Sequence, residues 1–259
     1  MSEYLQTTYE TMGQGLVVPD TYFEADSRFY SLEAELISRP KGVVLDLGCG
    51  QGALLKRLSA VHRVYGLEYD SGAREIARSH GLMVEPVDLN TASELPYSGP
   101  FDYIVCSEVC EHLLDPRNVF RLAHAKLAER SLFIVTVPNA VPLFLRWRLL
   151  FGGTCDWLHY PSPDTETTGH LRFYTLQSLQ RLAQEEGFEV ISRRGLGWRM
   201  NGHFWARLFY WMARLSGRDA IEKRAMLMDR AMGAWFPALS PGLMLVLRKR
   251  GSSSQSGSA

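Results

Sequence analysis

Four residues able to do acid–base or metal chemistry fall in two short runs. Glu108, Glu111 and His112 lie in Ser107-Glu108-Val109-Cys110-Glu111-His112-Leu113, and His170 lies in Gly169-His170-Leu171-Arg172-Phe173-Tyr174-Thr175. A histidine titrates at about pH 6.5 when unperturbed, so it takes or releases a proton near neutrality. His112 and His170 are therefore candidate catalytic bases for an acceptor group that must lose a proton. Packing or capping of the neighbouring helix is an equally open reading of His112. Two carboxylates and an imidazole within five residues also make a candidate ligand set for a divalent metal. That set is Glu108, Glu111, His112 and His170, and its metal would lower the pKa of a bound hydroxyl.

A second group of residues has the spacing of a nucleotide site. In Val43-Val44-Leu45-Asp46-Leu47-Gly48-Cys49-Gly50-Gln51-Gly52-Ala53, three glycines follow an apolar run and precede a helix-like stretch. Glycine allows a sharp turn and close approach of the backbone to a ligand, here along Gly48, Cys49 and Gly50. The spelling also satisfies G-x-G-x-x-A, so alone it admits a dinucleotide. Asp46 weighs against that. A carboxylate ending an apolar strand needs a compensating partner, and it would repel a pyrophosphate while favouring a cationic amine or sulfonium ligand. Glu68, after Val64-Tyr65-Gly66-Leu67, can accept from both hydroxyls of a ribose. Asp88, with Leu89 beside it, is placed for an adenine amino group and ring, although a turn cap explains Asp88 as well.

Positioning these residues requires a sheet that brings the ends of several strands together. Apolar runs at Val43–Leu47, Arg63–Leu67, Met83–Val87, Phe101–Cys106, Ser131–Val137, Phe188–Arg193 and Leu243–Arg248 read as strands. Helical stretches at Ala53–Ser59, Ser71–His80, Asp115–Ala128 and Thr175–Glu186 alternate with them. Such alternation predicts an α/β fold with a mainly parallel sheet covered on both faces, and ligands at the carboxyl ends of its strands.

Composition agrees with one such domain. The chain has 259 residues, 46% of them hydrophobic, and 28 basic residues balance 28 acidic ones. That balance, with no basic and aromatic face, argues against a nucleic-acid partner. The cysteines, Cys49, Cys106, Cys110 and Cys155, show no zinc spacing and fit a reducing cytoplasm. The expected layout is an N-terminal helical segment over 1–39, a core domain over 40–250 and a disordered tail over 251–259. Two insertions, 141–169 and 195–241, are expected to serve as lid or substrate elements. The second contains the aromatic run 203–215, which reads as core, as a lid, or as a peripheral membrane contact beside 141–151.

The glycine run, Glu68, Asp88 and the 107–113 run together resemble the class I S-adenosylmethionine (SAM)-dependent methyltransferases. The resemblance covers roughly residues 20–195 and the last strand. It is closest to the group containing the ubiquinone-biosynthesis O-methyltransferases and the methionine-biosynthesis protein MetW, in which Val137-Pro138-Asn139 and the 169–175 run also recur. It implies a Rossmann-like, doubly wound sheet of seven strands with the last antiparallel, plus helical insertions. It implies SAM beside Ser107 and Glu108, with Arg28 meeting the cofactor's carboxylate. Ubiquinone-type and small-RNA 3′-end 2′-O-methyltransferases use metal sets similar to the one above. The expected activity is methyl transfer to a small-molecule or lipid-linked acceptor, with oxygen favoured. The alternatives are a SAM-binding regulatory partner, as in MetW, and an NAD-dependent oxidoreductase.

Overall fold

The computed structural model describes residues 27–153, 169–198 and 218–251. The expected tail from 252, the aromatic run 203–215 and most of the N-terminal segment lie outside them. In chain order the elements are α1 (Ser27–Ile37), β1 (Val43–Leu47), α2 (Ala53–Leu58), β2 (Arg63–Leu67), α3 (Ser71–Ser79), β3 (Val84–Glu85) and β4 (Phe101–Ser107). After a short 3-10 turn at Cys110–His112 come α4 (Arg117–Lys126), β5 (Leu127–Pro138), α5 (Leu143–Leu150), α6 (Leu176–Glu185), β6 (Phe188–Leu196), α7 (Arg218–Trp235) and β7 (Gly242–Lys249).

The seven strands form one sheet in the order β3-β2-β1-β4-β5-β7-β6. β7 runs antiparallel to both β5 and β6, and the other described pairs are parallel. This is the doubly wound arrangement with an antiparallel last strand. Chain order reverses between β1 and β4, so the crevice for a ligand opens at their carboxyl ends.

The strands are central because their sequences are apolar on both faces. In β1, alternation sends Leu45 and Leu47 to one side of the sheet and Val44 to the other. The first side packs Ile104, Phe120, Phe133 and Phe188 into one cluster. The second side packs Leu54, Leu55, Ile134 and Val246, and it takes Leu32 and Leu36 of α1 into the same core. Each such side chain contributes about 1.5–3 kcal/mol by leaving water. The ion pairs Arg57–Glu33 and Arg194–Glu35 hold α1 to α2 and β6.

Three strands differ from the sequence expectation by more than one residue at an end, and β6 runs three residues beyond Arg193, to Leu196. β3 is two residues long rather than five, because only Gly66 and Leu67 of β2 offer it a partner. β5 begins at Leu127, four residues before the apolar run from Ser131, since Leu127 already pairs with Phe101 across the irregularity in β4.

Candidate functional site

A cleft opens at the carboxyl ends of β1 to β4. Its walls are Gly48 from the glycine loop, Leu67 to Asp70 after β2, Val87 to Asn90 after β3, and Glu108, Val109, His112 and Leu113 after β4. Four of these residues are acidic, Glu68, Asp70, Asp88 and Glu108, and no lysine or arginine among the described residues lines it.

The glycine loop is shaped by its own backbone. Gly48, Gly50 and Gly52 have φ of 84°, 53° and 81°, in the left-handed region that side chains resist. Gly48 N and Cys49 N both donate to Leu67 O, at 2.8 and 3.0 Å, which fastens the loop to β2. A Cβ at Gly48 would stand 2.5 Å from Val109 Cγ2, and one at Gly52 would stand 2.4 Å from Leu82 Cδ1. The loop after β1 and the turn after β4 are thus in direct contact across the switch point.

Glu68 ties the wall together. Its Oε2 accepts from Gly50 N at 2.7 Å and its Oε1 from Asp70 N at 2.8 Å. Burial raises its pKa, while these two N–H groups pull it down. Asp70 in turn caps α3 by accepting from Ala73 N at 2.7 Å. Asp88 reaches the cleft and also acts as the turn cap: its Oδ1 accepts from Asn90 N and its Oδ2 from the Thr91 hydroxyl, at 2.9 and 3.0 Å. Leu89 is buried at its side.

Asp46 is placed differently. It lies in β1 between Gly66 and Val105, is 3% exposed and is not among the residues that line the cleft. Its Oδ1 meets no hydrogen-bond donor among the described residues. Burial, with Glu68 nearby, pushes its pKa up to about 7. Cys49 is buried beside the loop, and burial raises its thiol pKa as well. Arg28 falls in the first turn of α1, and its side chain is outside what the structure describes.

At the end of β4, Glu108 has φ 54°, left-handed for a residue with a Cβ. Such a conformation costs on the order of 1–3 kcal/mol and persists where neighbours enforce it. Thr136 of β5 does so twice. Its carbonyl accepts from Glu108 N at 3.0 Å, and its hydroxyl donates to Glu108 Oε1 at 2.9 Å. Ser107 Oγ lies 2.9 Å from the same Thr136 hydroxyl. Sequence reading passed over Thr136. The signal was there: it is the single hydroxyl within the apolar stretch Leu132–Val137, two residues short of the strand's end.

His112 and His170 come together, with ring centroids 4.9 Å apart in an edge arrangement. His112 Nδ1 lies 3.3 Å from Gly169 O, and its Nε2 lies 3.9 Å from Glu111 Oε1. Burial, then the neighbouring His170, lowers the His112 pKa to about 4. Glu111 is buried, and its carbonyl accepts from Leu171 N and Arg172 N, drawing the 169–175 run over the turn. One ligand atom from each of Glu111, His112 and His170 lies within 4.8 Å of the others. Glu108, the fourth member of the expected metal set, stands outside that group and faces Thr136.

The methyltransferase-domain family model matches residues 23–193. The ubiquinone biosynthesis O-methyltransferase of Ruegeria pomeroyi is 30% identical over 171 residues, covering 59% of this chain and 62% of that protein. The chain thus spans less than two thirds of that relative's length. Among solved structures, a SAM-dependent methyltransferase of Thermotoga maritima superposes with a TM-score of 0.62 at 15% identity, covering 94% of this chain and all of that one. A cyclopropane synthase of Mycobacterium tuberculosis follows with a TM-score of 0.56 at 18% identity, covering 85% and 82%. At these identities the structures attest the fold. With the family model spanning two thirds of its length, the chain belongs to the class I SAM-dependent methyltransferases.

Proposed function

We propose that this protein transfers the SAM methyl group to an oxygen of a small-molecule or lipid-linked acceptor. The observation that carries the cofactor half of this reading is the cleft at the switch point, walled by Glu68, Asp70, Asp88 and Glu108 with no lysine or arginine among the described residues. Such a wall favours a ligand bearing a sulfonium and an ammonium, and it repels the pyrophosphate of a dinucleotide. In this reading Glu68 takes the ribose hydroxyls. Asp88 and Leu89 take the adenine, and the backbone of Gly48, Cys49 and Gly50 faces the cofactor. Ser107 and Glu108 flank its methionine end, and Arg28 meets its carboxylate. Asp46 acts from beneath the loop rather than by contact with the ligand.

The acceptor half rests on His112 and His170, which stand at the edge of the same cleft. Methyl transfer needs the acceptor held in line with the sulfonium methyl and, for a hydroxyl, relieved of its proton. An imidazole with a pKa of about 4 is neutral at physiological pH and can accept a proton, though weakly. Two imidazoles beside a buried carboxylate also suit a divalent cation. Glu111, His112 and His170 fit one by donor type and spacing. Bound there, the ion would lower the pKa of an acceptor hydroxyl. The relatives' name supports oxygen as the acceptor atom.

Labelled SAM incubated with the protein and a cell extract tests the whole reading. Label is expected in a small or lipid-soluble molecule, released by reagents that cleave methyl ethers. Tight SAM binding with no labelled product in any extract would overturn the catalytic reading. Titration calorimetry of SAM with Glu68→Ala tests the ribose assignment. A loss of about tenfold or more is expected for one charged hydrogen-bonding contact, and unchanged affinity rejects it.

A further inference from the structure

We propose that Cys106 and Cys110 close to a disulfide when a peroxide oxidises them, and that the closed bridge reshapes the cleft wall and weakens cofactor binding. Both thiols are buried, and methyl transfer uses neither. Their sulfurs lie 3.6 Å apart, about 1.5 Å beyond the length of a disulfide bond. Cys106 is the fixed partner, paired with Val135 in the ladder between β4 and β5. Cys110 is the partner that can travel. It opens the three-residue 3-10 turn Cys110–His112, whose closing bond, from Leu113 N to Cys110 O, is long at 3.4 Å. The Tyr174 hydroxyl donates to the same carbonyl at 3.2 Å. Glu108, Val109 and His112, on either side of Cys110, line the cleft. A small neutral oxidant entering the cleft therefore reaches the turn that carries this sulfur.

Hydrogen peroxide is the oxidant. It converts the Cys110 thiol to a sulfenic acid and leaves one water. The Cys106 thiol then attacks that sulfur. The S–S bond forms, and the displaced hydroxyl leaves with the Cys106 proton as a second water. Both sulfurs are oxidised and both peroxide oxygens are reduced. Burial slows the first step, so the pair answers sustained exposure. The second step is fast, because the two sulfurs are already held side by side. The bridge spans Ser107, Glu108 and Val109. Glu108 has the left-handed φ of 54° and is held by the Thr136 hydroxyl. Val109 packs on Gly48, where a Cβ would stand 2.5 Å from Val109 Cγ2. Drawing Cys110 toward Cys106 moves Glu108 and Val109, and both line the cleft. The effect on the cofactor rests on the assignment of this cleft to SAM, whereas the disulfide itself does not.

The test treats the full chain with hydrogen peroxide, blocks remaining thiols with iodoacetamide and digests with trypsin. Cleavage after Arg78 and Arg117 leaves Cys106 and Cys110 together on one peptide, residues 79–117, with no other cysteine or cleavage site in it. That peptide is expected unalkylated and two hydrogens lighter than its dithiol form, and dithiothreitol should restore both alkylation sites. Titration calorimetry should find SAM bound about tenfold or more weakly by the oxidised protein, with recovery on reduction. Cys106→Ala and Cys110→Ala should each bind SAM equally well before and after peroxide. A peptide still alkylated twice, one that gains only oxygen atoms, or one joined to the peptide of Cys49 or Cys155 overturns the proposal. So does a bridge that leaves SAM affinity unchanged, or variants that lose affinity as the parent does. The peptide mass reads the bridge whether or not SAM binds, so failure of the cofactor reading, seen as no SAM binding by the reduced parent, is a separate result.

Discussion

Asp46 and His112 are both buried against their charge, and they respond to pH in opposite directions. The Asp46 pKa of about 7 lies above its ordinary 3.8, so between these values the folded chain keeps a proton that the unfolded chain has released. Stability from this group is present at low pH and is lost as pH rises through 7. The His112 pKa of about 4 lies below its ordinary 6.5, so the unfolded chain binds the proton first. That contribution is lost as pH falls from 6.5 toward 4. Asp46→Asn removes only the first effect. Denaturant titrations should find the variant gaining on the parent by about 2–3 kcal/mol between about pH 5 and about pH 8. A gap that does not change with pH would mean that Asp46 is stabilised by groups beyond those described.

At the scale of elements, the glycine loop separates two costs that glycine usually hides. A Cβ at Gly50 meets nothing within 4 Å, whereas one at Gly52 runs into Leu82 Cδ1, and both residues have positive φ. Gly50→Ala should therefore lose about 1 kcal/mol from backbone conformation alone. Gly52→Ala should lose at least about 1 kcal/mol more, because Leu82 must move. Thermal denaturation of the two variants checks the order. This loop was legible in the sequence, as were the seven strands, because apolar runs and glycine spacing are local signals. The exact starts of β3 and β5 were not, because each is set by how far its neighbour extends. Thr136 was missed for the same reason: its role is to hold Glu108, 28 residues away in sequence. The strand position of Asp46 was visible in the sequence, and the depth of its burial was not.

The whole molecule combines an acidic cofactor cleft with a histidine pair at its edge. If Glu111, His112 and His170 hold a metal, EDTA should abolish methyl transfer and leave SAM affinity intact. His170→Asn should then reduce turnover by about a hundredfold, as loss of metal-site residues commonly does, and raise the concentration of Mg²⁺ or Mn²⁺ needed for half activity. Activity unaffected by EDTA leaves His112 and His170 as proton acceptors only. The methyltransferase-domain family model ends at residue 193 and so leaves out the whole of 195–241. Acceptor choice is accordingly expected to follow residues 141–169 and 195–241, and exchanging those segments should change which compound is labelled.

The carboxylate assigned to the ribose has a consequence for how the cofactor is received. Glu68 already holds Gly50 and Asp70 by their N–H groups, so the seat is assembled before anything sits in it. Little chain entropy is then left to lose on association, and rigidity that would otherwise count against affinity has been supplied during folding. The amides of Gly50 and Asp70 should exchange slowly with deuterium in the protein alone, and SAM should slow them only modestly further. A loop that froze only when SAM arrived would instead show fast exchange that collapses on binding.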